Sequence, residues 1–114
     1  MSVNNKTYQP VQTLSVKAVE DLPPFRFVSH LGSLCVDAAR SLGVTETDWV
    51  NGEWASVVSL GTIPIETTTT ISAGVDVTSA LTGKARAATG SEPVNGRTLE
   101  SCTGAGFVRI KLVP

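Results

Sequence analysis

Hydrophobic positions in this chain alternate with polar ones over short stretches, and glycine or proline ends most of them. Leu14, Val16 and Ala18 alternate with Ser15, Lys17 and Val19, which predicts a first strand. Asp21-Leu22-Pro23-Pro24 stops it, because proline has no N–H to give to a ladder. Phe25 to Ser29 reads as a second strand with Phe25 and Phe27 on one face, and Leu34-Cys35-Val36 as a short third after a turn at Leu31-Gly32-Ser33. Trp54 to Leu60 is a strand bounded by Gly52 and Gly61. Beyond Gly61, Ile63, Ile65, Thr67, Thr69 and Ile71 alternate with Pro64, Glu66, Thr68 and Thr70, so the strand signature runs through the threonine-rich segment. Val75 and Val77 open another short strand, and Asn95-Gly96 predicts a type I′ hairpin turn. The last run places Val108, Ile110 and Leu112 on one face and Phe107, Arg109 and Lys111 on the other.

One stretch has helical character. Asp37 to Leu42 supports one or two turns, with Asp37 as N-cap and Gly43 at the C-terminal cap. The expected class is therefore all-β with minor α, a sandwich or barrel carrying at most one short helix. Residues 14–114 form its single domain. Residues 1–13 are polar and without period, and predict an extended N-terminal arm whose candidate contact residues are Val3, Tyr8, Gln9 and Val11.

Composition narrows the function more than the fold. A net charge of -1, from nine basic and ten acidic residues, offers no field for nucleic acid. No apolar run approaches the roughly 20 residues that cross a bilayer. The first residues lack the apolar stretch of a secretory signal, so synthesis in a reducing cytoplasm is expected. Cys35 and Cys102 are then expected as buried or half-buried thiols, with a disulfide between them left open because it depends on their Cα separation.

Reactive groups are sparse. His30 is the one histidine, and with Cys35 or Cys102 it would form a Cys–His pair, but no signature surrounds either cysteine. Zinc wants four Cys or His ligands and the chain has three such residues. Gly104-Ala105-Gly106 lacks the lysine-threonine pair of a phosphate loop and reads as a turn into the last strand. Glu46, Asp48 and Glu53 lack calcium-loop spacing and read as a solvated rim. Trp49 and Trp54 flank an Asn51-Gly52 turn, and are either core plugs or an exposed aromatic pair at an interface. The expectation is a non-enzymatic protein with no catalytic residue, no cofactor and no metal.

Residues Gly52-Glu53, Val57-Val58, Gly61 to Glu66, Ile71 to Ser79 and Thr82 to Ala85 form a distinctive run, followed by Val94-Asn95-Gly96 and Gly106 to Leu112. This run resembles the small capsid decoration (cement) proteins of tailed bacteriophages, loosely over residues 25–112 and best over 52–112. Trp49, Trp54 and the Glu92-Pro93 bend depart from that pattern. The resemblance implies a β-barrel or β-tulip-like domain, often a homotrimer, on the outer surface of the virion. It also implies that such a protein binds the major capsid protein of the expanded head, stabilises contacts between its subunits, and reaches onto the coat with its arm. Two other readings stand beside it: a virion or tail β-module binding host-surface glycans through Trp49 and Trp54, and a small Cys–His hydrolase using His30 and Cys102.

Overall fold

The computed structural model describes residues 8–113. Its strands are β1 (Pro10–Lys17), β2 (Phe27–Val28), β3 (Gly43–Thr45), β4 (Trp54–Glu66), β5 (Asp76–Ser79), β6 (Ala85–Ala87), β7 (Gly96–Thr98) and β8 (Phe107–Leu112). They pair antiparallel in the order β2-β3-β4-β8-β7-β5-β6, with β1 joined to β4 off that path. The far end of the sheet comes back toward β4: Thr67 bridges Ala85, and the Thr68 N–H donates to the Ala85 carbonyl at 3.1 Å. The result is an all-β, nearly closed barrel.

β4 organises the molecule. Two runs expected as separate strands either side of a turn at Gly61 are one thirteen-residue strand. Gly61 lies inside it at φ 109°, where the register against β1 slips. The slip acts as a bulge, and one extra residue exchanges the faces of a strand. Before it, Val58 faces the main core while Ala55 and Val57 face a smaller one. After it, the odd-numbered Ile63 and Ile65 face the main core. A regular strand would send Val58 and Ile63 to opposite sides. The bulge allows β4 to serve two sheets, pairing with β1 and β3 in its first half and β8 in its second.

The main core gathers Phe27, Val44, Val58, Ile63, Ile65, Ile71, Val77, Val108, Ile110 and Leu112 inside the barrel. Ala18, Leu22, Val28, Ala55 and Val57 build the smaller core, with Leu34, Leu42 and Trp49 packed on it. The alternation expected for the last strand holds, with Val108, Ile110 and Leu112 buried.

Five local expectations fail. Among the described residues there is no α-helix, and the one helical turn is a 3-10 turn at Leu81–Gly83. Residues 37–42 are held as an irregular loop because Ala38 takes φ 56° and distant side chains capture the backbone. Ser79 Oγ accepts from the Ala39 N–H at 2.9 Å, and Asn95 Oδ1 accepts from the Ser41 N–H at 3.1 Å. Asn95-Gly96 is not a hairpin turn: Asn95 is buried and Gly96 opens β7 opposite Leu112. Nor does a strand continue through the threonines, since Thr67 makes a single bridge and Thr68 to Thr70 are exposed. Phe25 lies outside β2 at φ 58°, and Leu34 contributes one bridge to Val28 in place of a third strand.

An ion-pair cluster ties the 37–42 loop to the β6–β7 connection. Arg86 reaches Asp37 at 2.8 Å and Glu92 at 2.6 Å. The hydrogen bonds from Arg86, then the Thr89 N–H, bring the Glu92 carboxyl from its ordinary 4.5 down to about 2. A depressed carboxyl stabilises the fold fully above its unfolded value and loses that contribution as pH falls through the folded one. Urea midpoints should therefore fall between pH 5 and pH 2, and Glu92→Gln should flatten that fall. An unchanged slope in the variant would exclude Glu92 as its source.

Candidate interaction surface

Tyr8, Phe25 and Phe107 form a run of aromatic rings near the second half of β4. Tyr8 and Phe25 meet edge to face at 6.3 Å between centroids, and Phe25 and Phe107 at 6.0 Å. Such pairs contribute roughly 0.5–1.5 kcal/mol beyond area burial. The Phe25 backbone is clamped in its left-handed conformation by two bonds: its N–H donates to the Thr45 carbonyl at 2.8 Å and its carbonyl accepts from the Glu66 N–H at 3.0 Å. Strained residues of this kind persist where the surrounding structure over-determines them. Phe107 stays 57% exposed at the end of the run. Tyr8 Oη also donates to Glu46 Oε2 at 3.0 Å. Burial first, then that hydrogen bond, raises the Tyr8 phenol above its ordinary range.

The expected arm residues divide at this point. Val3 lies outside the described residues. Tyr8 is tied to the chain's own aromatics, and Gln9 exchanges bonds with Thr62, its N–H donating to Thr62 Oγ1 at 2.7 Å and its carbonyl accepting from the Thr62 N–H at 3.0 Å. Val11 is 70% exposed on β1. Residues 10–13, expected in the arm, are the first half of β1. The sequence signal for this was weak, since Pro10 and Gln12 interrupt the apolar period.

The tryptophans have different fates. Trp49 is half-buried on the smaller core, its backbone exchanging bonds with Leu22 at 2.9 and 2.8 Å. Among the described residues, its buried indole nitrogen has no hydrogen-bond partner. Trp54 is 67% exposed opposite Lys17. So Trp49 is a core plug, and Trp54 keeps the surface position expected of a contact residue.

Among the described residues, both cysteines are free thiols. Their hydrogen-bond partners are the Arg40 carbonyl for Cys35, and the Thr67 hydroxyl and Thr69 carbonyl for Cys102, in place of imidazole. Burial pushes the Cys35 thiol up to about 11, so it stays protonated at neutral pH. His30 is exposed in the β2–β3 connection. It lines a groove of about 460 Å³ with Arg40, Leu14, Leu60 and Val94. Among the described residues, no group of three or more His, Cys, Asp or Glu could hold a metal ion.

No family model matches this chain, and no curated protein matches it. Among solved structures, it is similar to the N base of the head fiber gp8.5 of bacteriophage phi29. That match has a TM-score of 0.74 at 16% identity, and covers 90% of this chain and 93% of that one. At that identity the likeness establishes a shared fold.

Proposed function

We propose that this protein is a structural component of a tailed-phage head, a decoration protein that binds the outer surface of the assembled shell and stabilises contacts between its coat subunits. The observation that supports this reading most is the end-to-end fold match to a phage head-fiber base, over nine-tenths of both chains. The exposed apolar residues agree with a protein that works by contact: Val11, Trp54 and Phe107 are all more than half exposed. In this reading the segment before Tyr8, including Val3, reaches the coat, and the Tyr8–Phe25–Phe107 rings and Glu46 fix its root. Ordering such a segment costs free energy, which a repeating lattice offsets by engaging many copies at once.

The test is co-sedimentation with expanded heads that lack the protein. Saturable binding, with higher thermal resistance of the heads, is expected. Removing residues 2–7 should weaken attachment and leave the far-UV spectrum unchanged. Removing residues 2–13 should also lower the melting temperature, because it takes half of β1. Tyr8→Ala should weaken attachment with only a small loss of stability. Unchanged binding after removal of residues 2–7 would end the arm proposal, and no saturable binding would end the functional one.

A further inference from the structure

Among the described residues, β1 has one occupied edge and pairs with β4 alone. Its phase is set at the Lys17 end, where the Ala18 N–H donates to the Glu53 carbonyl and the Ala18 carbonyl accepts from the Gly52 N–H, both at 2.8 Å. In an antiparallel ladder alternate residues bond the same neighbour. Val16 and Leu14 therefore turn their backbone groups toward β4, and Ser15 and Thr13 turn theirs away from it.

That outward edge is short and its ends are guarded. At one end Pro10 has no N–H, and the register slips twice between Pro10 and Thr13. At the other the Gly32 loop closes in. Val19 N–H donates to the Gly32 carbonyl at 3.1 Å, and a Cβ on Gly32 would fall on the Lys17 carbonyl oxygen. Proline, bulges and covering loops are the usual protections of an edge strand. Here they leave Thr13-Leu14-Ser15 open, with both faces of the strand exposed at these positions.

We infer that β1 is a pairing edge between two copies of this chain, related by a two-fold axis through Leu14. In this register Thr13 faces the second copy's Ser15, and Ser15 its Thr13. All four residues present outward N–H and C=O groups, giving a four-bond ladder that ends where the guards begin. Leu14, 40% exposed in the single chain, meets its own copy in the closer, non-hydrogen-bonded type of pair. Thr–Ser and Leu–Leu are favourable cross-strand neighbours. Charge does not oppose this register, because the two copies' Lys17 side chains lie at opposite ends of the ladder. The net charge of -1 adds little repulsion. A self-complementary patch used by both partners is what a two-fold interface requires.

Cysteine pairing tests the register in the full chain carrying Cys102→Ser. Opposed Cα atoms at the axis lie about 4.5 Å apart, inside the range a disulfide spans. Leu14→Cys should therefore give a reducible dimer on mild oxidation. Ser15→Cys alone should not, whereas a mixture of Thr13→Cys and Ser15→Cys chains should cross-link. Sedimentation equilibrium of the unmodified chain should show a concentration-dependent doubling of mass. Ser15→Pro should abolish it, since the N–H removed points away from β4, and its far-UV spectrum reports whether the fold survives. A monomer at all concentrations, a trimer, or cross-linking of Ser15→Cys as strong as that of Leu14→Cys would overturn the inference. So would edge-dependent binding to heads without self-association.

Discussion

Replacing Gly61 with alanine is expected to destabilise the domain by about 3 kcal/mol or more, through left-handed strain and a backbone collision together. The residue sits at φ 109°, where a Cβ would land on the Gln9 carbonyl oxygen and lie 2.8 Å from the Val11 nitrogen. Neither neighbour is a flexible side chain that can move aside. Relieving the contact means separating β1 from β4 or removing the bulge. Removing the bulge would turn either Val58 or the Ile63–Ile65 pair out of the main core. For a domain of this size, such a loss lowers the melting temperature by more than about 10 °C. Thermal unfolding followed by circular dichroism checks it, and a shift of only a few degrees would show that β4 tolerates a regular register.

Asn95→Ala should rank close behind, at about 2–4 kcal/mol, because it strands two backbone groups at once. The side chain is 4% exposed. Its Nδ2 donates to the Ala39 carbonyl at 2.8 Å, and its Oδ1 accepts from the Ser41 N–H at 3.1 Å. It thereby fastens the 37–42 loop to the start of β7. Asn95→Asp keeps the acceptor but sets a carboxylate against a carbonyl oxygen, so it should be destabilising too, and more so as pH rises through the carboxyl's titration. Urea unfolding of both variants at pH 5 and pH 8 separates the two effects. Equal stability of Asn95→Ala and the parent chain would mean that water replaces the amide without cost.

These two residues also show what could be read from the sequence. Alternation identified β8 and both halves of β4 because it follows from burial on one face, which is local information. It gave no way to distinguish a glycine that ends a strand from one that bends it. At Gly61 that choice depends on β1 crossing beside it, a contact more than forty residues away. Asn95-Gly96 has the composition of a tight turn, yet the Asn side chain is used to bond Ala39 and Ser41 across the barrel. Asp37 to Leu42 has adequate caps for a helix. At one or two turns its intrinsic gain is too small to compete with bonds from Ser79 and Asn95.

The surface was less legible than the core. Tyr8 was read as an apolar handle for a neighbour, and in the fold its ring lies on Phe25. Phe25 and Phe107 escaped notice as a pair because they are joined only by the fold. The outward edge at Thr13 and Ser15, unpaired among the described residues, carries no compositional mark at all, since it is a matter of ladder phase.

The most direct measurement is electron cryomicroscopy of expanded phage heads, initially lacking this protein, after incubation with the purified chain. The account predicts regularly spaced outer density that fits the eight-stranded domain, seated on coat subunits and absent from untreated heads. Bare shells at saturating protein concentration, with the chain left folded in solution, would contradict it.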